Sequence, residues 1–391
     1  MTAVLGAAPY WRLSGFYLCY FATLGALIPY WGLYLRHQGF NAAEIGELLA
    51  ALMATKIVAP NVWGWIADHT GRRMRIVRLA SLAALIAFVG VLLGSSYWWL
   101  VAVMLAFSFF WNASLPQFEA ITLSYLGEQA HRYSRIRLWG SVGFIVTVAS
   151  IGHLLERYEP TVLPWILLGL FAGVWLFSLY VPERLADHSQ LPAVSLRRTL
   201  GSTPVLALIV ACSLLQASHG PYYVFFTLYL EDNGYSRNAI GQLWALGVIA
   251  EIIIFLLMHR WLPLIGPRRL LLVSIALAVV RWLLIGGFAD NLAVMVFAQL
   301  LHAATFGTFH AAAIDLVHRY FSGRLQGRGQ ALYSSMSFGV GGALGSLSAG
   351  YLWEGFAPAW AYYAAAAMAL LSLLVAVAWV REPTPATAGR V

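Results

Sequence analysis

Four ionisable side chains stand deep inside long apolar runs of this sequence: Lys56, Glu251, Arg281 and His302. A charge held in such surroundings costs about 2.5–3.5 kcal/mol or more, so each needs a partner and a reason. On helices rising ~1.5 Å per residue, all four lie about 17–20 Å into their runs and share one depth. Glu251, Arg281 and His302 combine an acid, a permanent cation and a group that titrates near neutrality. That set suits proton coupling, in which protonating Glu251 releases Arg281 and shifts an equilibrium between two conformations. The alternative is a static buried ion pair joining the runs that carry Glu251 and Arg281.

A second set couples Glu119 with Arg137, eighteen residues on. Glu119 follows Asn112, Pro116 and Gln117 inside its run; Arg137 stands at the start of the next and could equally be a simple topology-setting charge. Gln216, Ser218, His219, Tyr222 and Tyr223 surround Gly220-Pro221 and make one run unusually polar. Breaks of that kind line cavities in membrane bundles. Tyr30, Trp31 and Tyr34 follow Pro29 at the corresponding place in the first run, as cavity walls or as interfacial anchors. Aromatic walls with Lys56 or Arg137 as anchor would suit a small aromatic carboxylate. Cys19 and Cys212 fall in apolar runs and read as inert buried thiols, and His310 and Asp315 carry less information. The chain has no H-x-x-x-H cluster, nucleophile elbow or glycine-rich phosphate loop, so neither an enzyme nor a metal or cofactor is expected.

The elements that hold these residues follow from composition. Of 391 residues 61% are apolar and 10% charged, and the mean hydropathy is +0.74. A soluble domain carries about 25% charged residues, so lipid must be the main solvent here. The net charge of +8 comes from arginines in short loops, which sets topology and gives no nucleic-acid footprint. Twelve runs are long enough to span a bilayer: 13–35, 44–66, 75–95, 97–126, 136–156, 161–181, 204–230, 238–262, 269–288, 291–320, 328–354 and 358–380. Nineteen basic residues fall on the side of Arg12, Arg72, Arg73, Arg184, Arg197, Arg198, Arg324 and Arg390. Only Arg36, Arg157 and Arg237 fall on the other. The positive-inside rule then puts both termini in the cytoplasm. The polar stretch 182–203 reads as a cytoplasmic linker between six-helix halves at 1–181 and 204–391.

Those halves repeat. A shift of 195 residues lays Tyr34-Leu35, Gly39, Ile45-Gly46 and Leu48 on Tyr229-Leu230, Gly234, Ile240-Gly241 and Leu243. The same shift lays Lys56 on Glu251. Parallel six-helix repeats imply two pseudo-symmetric bundles, with a substrate near the midplane exposed to each side in turn. The expected fold is therefore an all-α membrane protein with twelve transmembrane helices in two such bundles.

The loop after the second run reads Gly64-Trp65-Ile66-Ala67-Asp68-His69-Thr70-Gly71-Arg72-Arg73. It resembles the G-x-x-x-D-x-x-G-R-R signature of the major facilitator superfamily. In physical terms Gly64 would permit close helix packing, Asp68 could face a helix N-terminus, and Gly71 would allow a tight turn. The resemblance implies a conformational gate made of Gly64, Asp68, Gly71, Arg72 and Arg73. At the matching place in the second half, Gly266-Pro267-Arg268-Arg269 keeps the turn and the charges, with Pro263 in place of the acid.

Glu119 followed by Arg137-Leu138-Trp139-Gly140, together with Glu251, Arg281 and His302, resembles the lactose-permease branch of that superfamily. The resemblance implies that Glu119 and Arg137 bind substrate with Phe144 against its ring. It also implies that Glu251, Arg281 and His302 couple a proton, although Thr305 stands where the branch has its proton-carrying carboxylate. A closer resemblance, to the 3-phenylpropionic acid transporter family, rests on segments 136–141, 214–223, 241–251, 280–282 and 301–306. Together these imply a proton symporter, taking up a small organic solute such as a phenylpropionate and driven by the proton gradient alone. Lys56, Gln216, His219 and Tyr222 join the expected substrate contacts. Symport of a neutral sugar or nucleoside, or proton-driven efflux, is the alternative. The expected partners are a small solute, protons and the lipid bilayer of a bacterial-type inner membrane; no nucleic acid is expected, and the chain is expected to act as a monomer.

Overall fold

The structure is a computed structural model that describes residues 9–183, 201–321 and 325–382, without the side chains of Glu128, Ala130 and His131. Most of the 182–203 linker therefore lies outside the described residues, as do Arg184, Arg197, Arg198, Arg324 and Arg390. Among the described residues there is no strand. Twelve long helices follow one another in chain order among those residues. They are α1 (Tyr10–His37), α2 (Ala42–Thr70), α3 (Arg73–Leu92), α4 (Tyr97–Leu126), α5 (Tyr133–Leu154) and α6 (Leu163–Tyr180). Then come α7 (Thr203–Asp232), α8 (Arg237–Ile265), α9 (Pro267–Gly287), α10 (Leu292–Tyr320), α11 (326–355) and α12 (Ala359–Trp379).

Each helix covers one apolar run of the sequence, and the ends agree to within four residues. Ten are long and apolar enough to cross a membrane on those grounds alone. The other two are α2, which carries Glu44, Glu47, Lys56 and Asp68, and α11, which is rich in glycine and serine. Leu93, Trp98 and Leu256 are 74%, 76% and 68% exposed, far more apolar surface than water would tolerate around a bundle of this kind. The protein is an integral, multi-pass membrane protein.

Helix starts and turns follow from local chemistry. Before α2, Asn41 Oδ1 accepts from the Glu44 backbone N–H at 2.9 Å and Glu44 accepts from the Asn41 N–H at 2.9 Å, a reciprocal capping box. Ser236 caps α8 by accepting from the Ala239 N–H, and Asn291 caps α10. The turns at Gly39 and Gly71 have positive φ, as do those at Gly234 and Gly266, 195 residues further on in each case. A side chain is strained in that conformation, which is why the repeat keeps glycine there.

Two features break the regular helices. His219 ends the first piece of α7 (Thr203–Ser218), and the second piece runs Gly220–Asp232. At Gly220 a Cβ would lie 2.2 Å from the Gly345 backbone, so α7 and α11 touch main chain to main chain. Segments of α10 (Ala303–Thr308) and α11 (Ser335–Gly341) are π-helical, a widening that often accompanies a functional site.

Contacts divide the chain into two compact units. The first takes α1 up to Leu27, Ala59–Val148, and the chain from Val162 through α6. The second takes Ile28–Val58, Ala149–Thr161, and α7 to α12. Within the second unit, Arg36 at the end of α1 pairs with Glu231 and, at 2.6 Å, with Asp232 at the end of α7. Arg237 reaches the same Glu231 at 2.7 Å. Two of the three arginines counted on the sparse side of the topology thus converge on one carboxylate.

Candidate functional site

In the second unit, α7 to α10 deliver a buried polar cluster around Arg281, whose side chain is fully buried. Its Nε donates to the Ala298 carbonyl at 2.9 Å. Nη1 donates to His302 Nδ1 at 3.1 Å and to Thr305 Oγ1 at 3.3 Å, and Nη2 to Gln299 Oε1 at 3.4 Å. The guanidinium also lies over the Tyr222 ring at 4.2 Å and the Trp282 ring at 4.7 Å. Neutral acceptors and π-faces thus hold the cation, with no carboxylate in direct contact among the described residues.

Glu251 reaches this group through histidine. Its Oε2 lies 3.6 Å from His302 Nε2. The direct Glu251–Arg281 pair expected from the sequence, whether a switch or static glue, is not formed. His302 stands between them: its Nδ1 takes the Arg281 bond beside Gln299 and Thr305, and its Nε2 faces Glu251. Thr305 holds its place in the cluster as a hydroxyl acceptor.

The residues around the α7 break split into two roles. Tyr222, one of the expected substrate contacts, donates to Gln299 Oε1 at 2.9 Å and packs on Trp244, Trp282 and His302. It belongs structurally with the Arg281 cluster. His219 is fully buried, shares its Nδ1 with the Leu215 carbonyl at 2.8 Å and leaves Nε2 without a hydrogen bond. Gln216 is also buried, and its Oε1 is unpartnered. Tyr30, Trp31 and Tyr34 are buried, so they are not anchors at a lipid interface.

In the first unit, α1, α4 and α5 bring Glu119 and Arg137 into one neighbourhood without an ion pair between them. Glu119 accepts from the Tyr133 hydroxyl at 3.0 Å. Arg137 lies flat over the Phe21 ring at 3.6 Å, with Tyr17 at 5.8 Å. Among the described residues Arg137 has neither a salt bridge nor a hydrogen bond. Gly140 makes this posture possible: a Cβ there would sit 2.6 Å from Arg137 Nη1 and 2.7 Å from the Phe21 ring. Phe144, two turns after Arg137, sets its backbone against Gly25 of α1, and its half-buried ring stacks on no other aromatic among the described residues. Lys56, in the second unit, likewise has no salt bridge or hydrogen bond among the described residues.

The gate motif forms the α2–α3 corner. Gly71 makes the turn with φ +66°, and Arg72 stands just before α3. Asp68 pairs with Arg73 Nη2 at 2.6 Å, and Arg73 Nη1 donates to Gln117 Oε1 of α4 at 2.6 Å. The carboxylate that caps the start of α3 is Glu183, which accepts from the Met74 and Arg75 N–H groups at 2.9 and 3.0 Å. The expected close helix packing at Gly64 is absent; a Cβ there would meet only Gln117 Nε2, at 3.9 Å. At the matching corner, Glu382 accepts from the Arg268 N–H at 3.2 Å, 199 residues after Glu183. A cavity of about 470 Å³ lined by Gly266, Arg268, Arg269, Arg381 and Glu382 lies at this corner, away from the Arg281 cluster.

Tyr133, Gln299, Gln117 and the Glu183/Glu382 pair were not singled out by sequence. Two signals pointed to Tyr133 and to the glutamate pair: Tyr133 lies one helical turn before Arg137, and Val181-Pro182-Glu183 has its echo in Val380-Arg381-Glu382.

Comparison with known proteins places this architecture. Residues 10–364 match the profile of the MFS_1 like family. The chain belongs to that family. A relative described as a probable 3-phenylpropionic acid transporter, from Escherichia coli (strain K12), is 31% identical over 360 residues, covering 88% of this chain and 91% of its own. A maltose permease from Geobacillus stearothermophilus is 27% identical over 363 residues, covering 90% and 91%. Among solved structures, a mutant of the nucleoside transporter NupG superposes with a TM-score of 0.85 at 17% identity, over 94% of this chain and 99% of that one. As a member of the family, the protein is a major facilitator superfamily transporter and not an enzyme.

Proposed function

We propose that this transporter is a proton symporter for a small organic anion, with an aromatic carboxylate of the phenylpropionate type as its preferred class. The observation that carries this is the state of Arg137. It is a permanent cation inside the bundle with its face on Phe21 and with no anion or hydrogen-bond acceptor among the described residues. A guanidinium carries five donors and recognises a carboxylate by two of them at once. An incoming carboxylate would meet an unmet demand, and the unstacked ring of Phe144 two turns on offers an aromatic wall. Lys56 supports the same sign of charge in its own unit. The named activity of the Escherichia coli relative agrees with this class.

Proton coupling rests on the Glu251–His302–Arg281 chain, in which Glu251 is the group able to take a proton. Both termini in the cytoplasm of a bacterial inner membrane, two six-helix halves at 1–181 and 204–391, a monomeric working form and a gate at Asp68, Gly71, Arg72 and Arg73 complete the proposal. A second reading has its own support. The unpartnered Gln216 Oε1 and His219 Nε2 are buried acceptors that hydroxyl groups would satisfy, which favours a sugar or nucleoside.

Uptake into proteoliposomes separates the two. With an inward proton gradient, labelled 3-phenylpropionate should accumulate and a protonophore should abolish accumulation. Accumulation of maltose or uridine with no response to phenylpropionate would favour the second reading, and protonophore-insensitive uptake would reject symport.

A further inference from the structure

Tyr133 and Arg137 are four residues apart on α5, and so share one face of that helix. Opposite them, α4 presents a single carboxylate, Glu119. It bonds to the neutral hydroxyl of Tyr133 at 3.0 Å and forms no ion pair with the guanidinium one turn away. An ion pair in these surroundings would be the stronger contact, so something must hold the two charges apart. Both sides of that restraint are visible. Arg137 is folded back over Gly140 onto Phe21. The Tyr133 ring is set by an edge-to-face contact with Tyr17 at 6.3 Å, and the Tyr17 hydroxyl is itself tied to Thr122 at 3.1 Å on the same helix as Glu119.

We propose that Tyr133 is a positioning residue for substrate charge: its hydroxyl occupies Glu119 and so keeps Arg137 open to an anion. Without that hydroxyl, Glu119 loses the hydrogen bond it accepts from Tyr133, and Arg137 is the cation in its neighbourhood. The acid would then act as an internal competitor of the substrate carboxylate. The inference deepens the organic-anion reading and rests on it for the identity of the ligand, but the restraint itself is a property of the empty protein.

The test uses the full-length purified transporter and two readouts. Residue-resolved modification of Arg137 by phenylglyoxal, followed by peptide mass spectrometry, reports whether the guanidinium is paired, whatever the substrate. Tyr133→Phe should slow modification several-fold. Tyr133→Phe/Glu119→Gln should restore it, and Glu119→Gln alone should match the wild type. The second readout is transport: Tyr133→Phe should raise KM for 3-phenylpropionate on the order of tenfold, the scale of one hydrogen bond to a charged group. A purely structural role for Tyr133 predicts a double variant no better than the single one. Equal modification in all four proteins overturns the inference. The expected modification pattern without any effect on phenylpropionate KM upholds the restraint and rejects the organic-anion reading instead. Thermal unfolding of each variant shows that the folded protein is being compared.

Discussion

Arg281 donates from Nη1 to Nδ1 of His302, and that one bond fixes where the histidine proton lies. A guanidinium has no acceptor, so Nδ1 must offer its lone pair, and the neutral ring then carries its proton on Nε2, the nitrogen that faces Glu251 at 3.6 Å. Protonating His302 would put a donor against a donor and a cation against a cation. The ring can therefore relay the charge state of Glu251 to Arg281 more readily than it can store a proton itself.

Glu251→Gln tests the proposed proton carrier of the Glu251–His302–Arg281 relay. Proton-driven accumulation should be lost, while substrate exchange across the membrane, which needs no net proton movement, should persist. Counterflow and gradient-driven uptake in the same proteoliposomes measure the two. Wild-type accumulation in the variant would remove Glu251 from the coupling role.

Gly140 gives a sharper test of Arg137, because the change is one methyl group. A Cβ 2.6 Å from Nη1 and 2.7 Å from the Phe21 ring must push the guanidinium off the ring. The arginine end is flexible and can move, so Gly140→Ala should cost about 1–3 kcal/mol of stability at most. The KM for organic anions should rise several-fold with less change in kcat. A variant with unchanged KM would mean that the posture over Phe21 is irrelevant to binding.

These two cases show what could be read before the structure. Apolar length was enough to find twelve helices, because a bilayer imposes one length on every span and the linking loops are short. The glycines at 39, 71, 234 and 266 were legible because a left-handed turn excludes other residues. The partners of Arg281 were not. A rise of ~1.5 Å per residue places Arg281, His302 and Glu251 at one depth, yet which side chains meet is decided by packing: Arg281 bonds to one nitrogen of His302, and Glu251 faces the other. Glu119 and Arg137 stand in one neighbourhood, but the partner of Glu119 is Tyr133, a hydroxyl whose direction only packing decides.

The gate corner should separate function from stability. The Asp68 side chain is 66% exposed, and a pair of that kind with Arg73 contributes no more than about 0.2–1 kcal/mol. Asp68→Asn should therefore leave Tm nearly unchanged. Transport should fall by far more than so small a loss of stability can explain, because Arg73 would lose its anchor while still tied to Gln117 of α4. Uptake rate and thermal unfolding of the same preparation check both halves of the expectation, and a parallel loss in the two would make the pair merely structural.

Glu156, in the turn just after α5, offers a test by pH outside the membrane-spanning segments. Its carboxylate accepts from the Asn238 N–H at 2.9 Å in the first turn of α8, which is the main reason its pKa lies below the usual carboxylate value; a hydrogen bond from Ser236 adds to this. A depressed folded-state pKa means that the charged group favours the folded form. That contribution is complete above the unfolded-state pKa and is lost as pH falls through the lower folded-state value. Glu156→Gln should therefore have a slightly lower Tm than the wild type at pH 7. The gap should hold down to the ordinary carboxylate range and close only below it. A gap that widens as the solution is acidified would assign the opposite sign and show that the capping contact at α8 does not form.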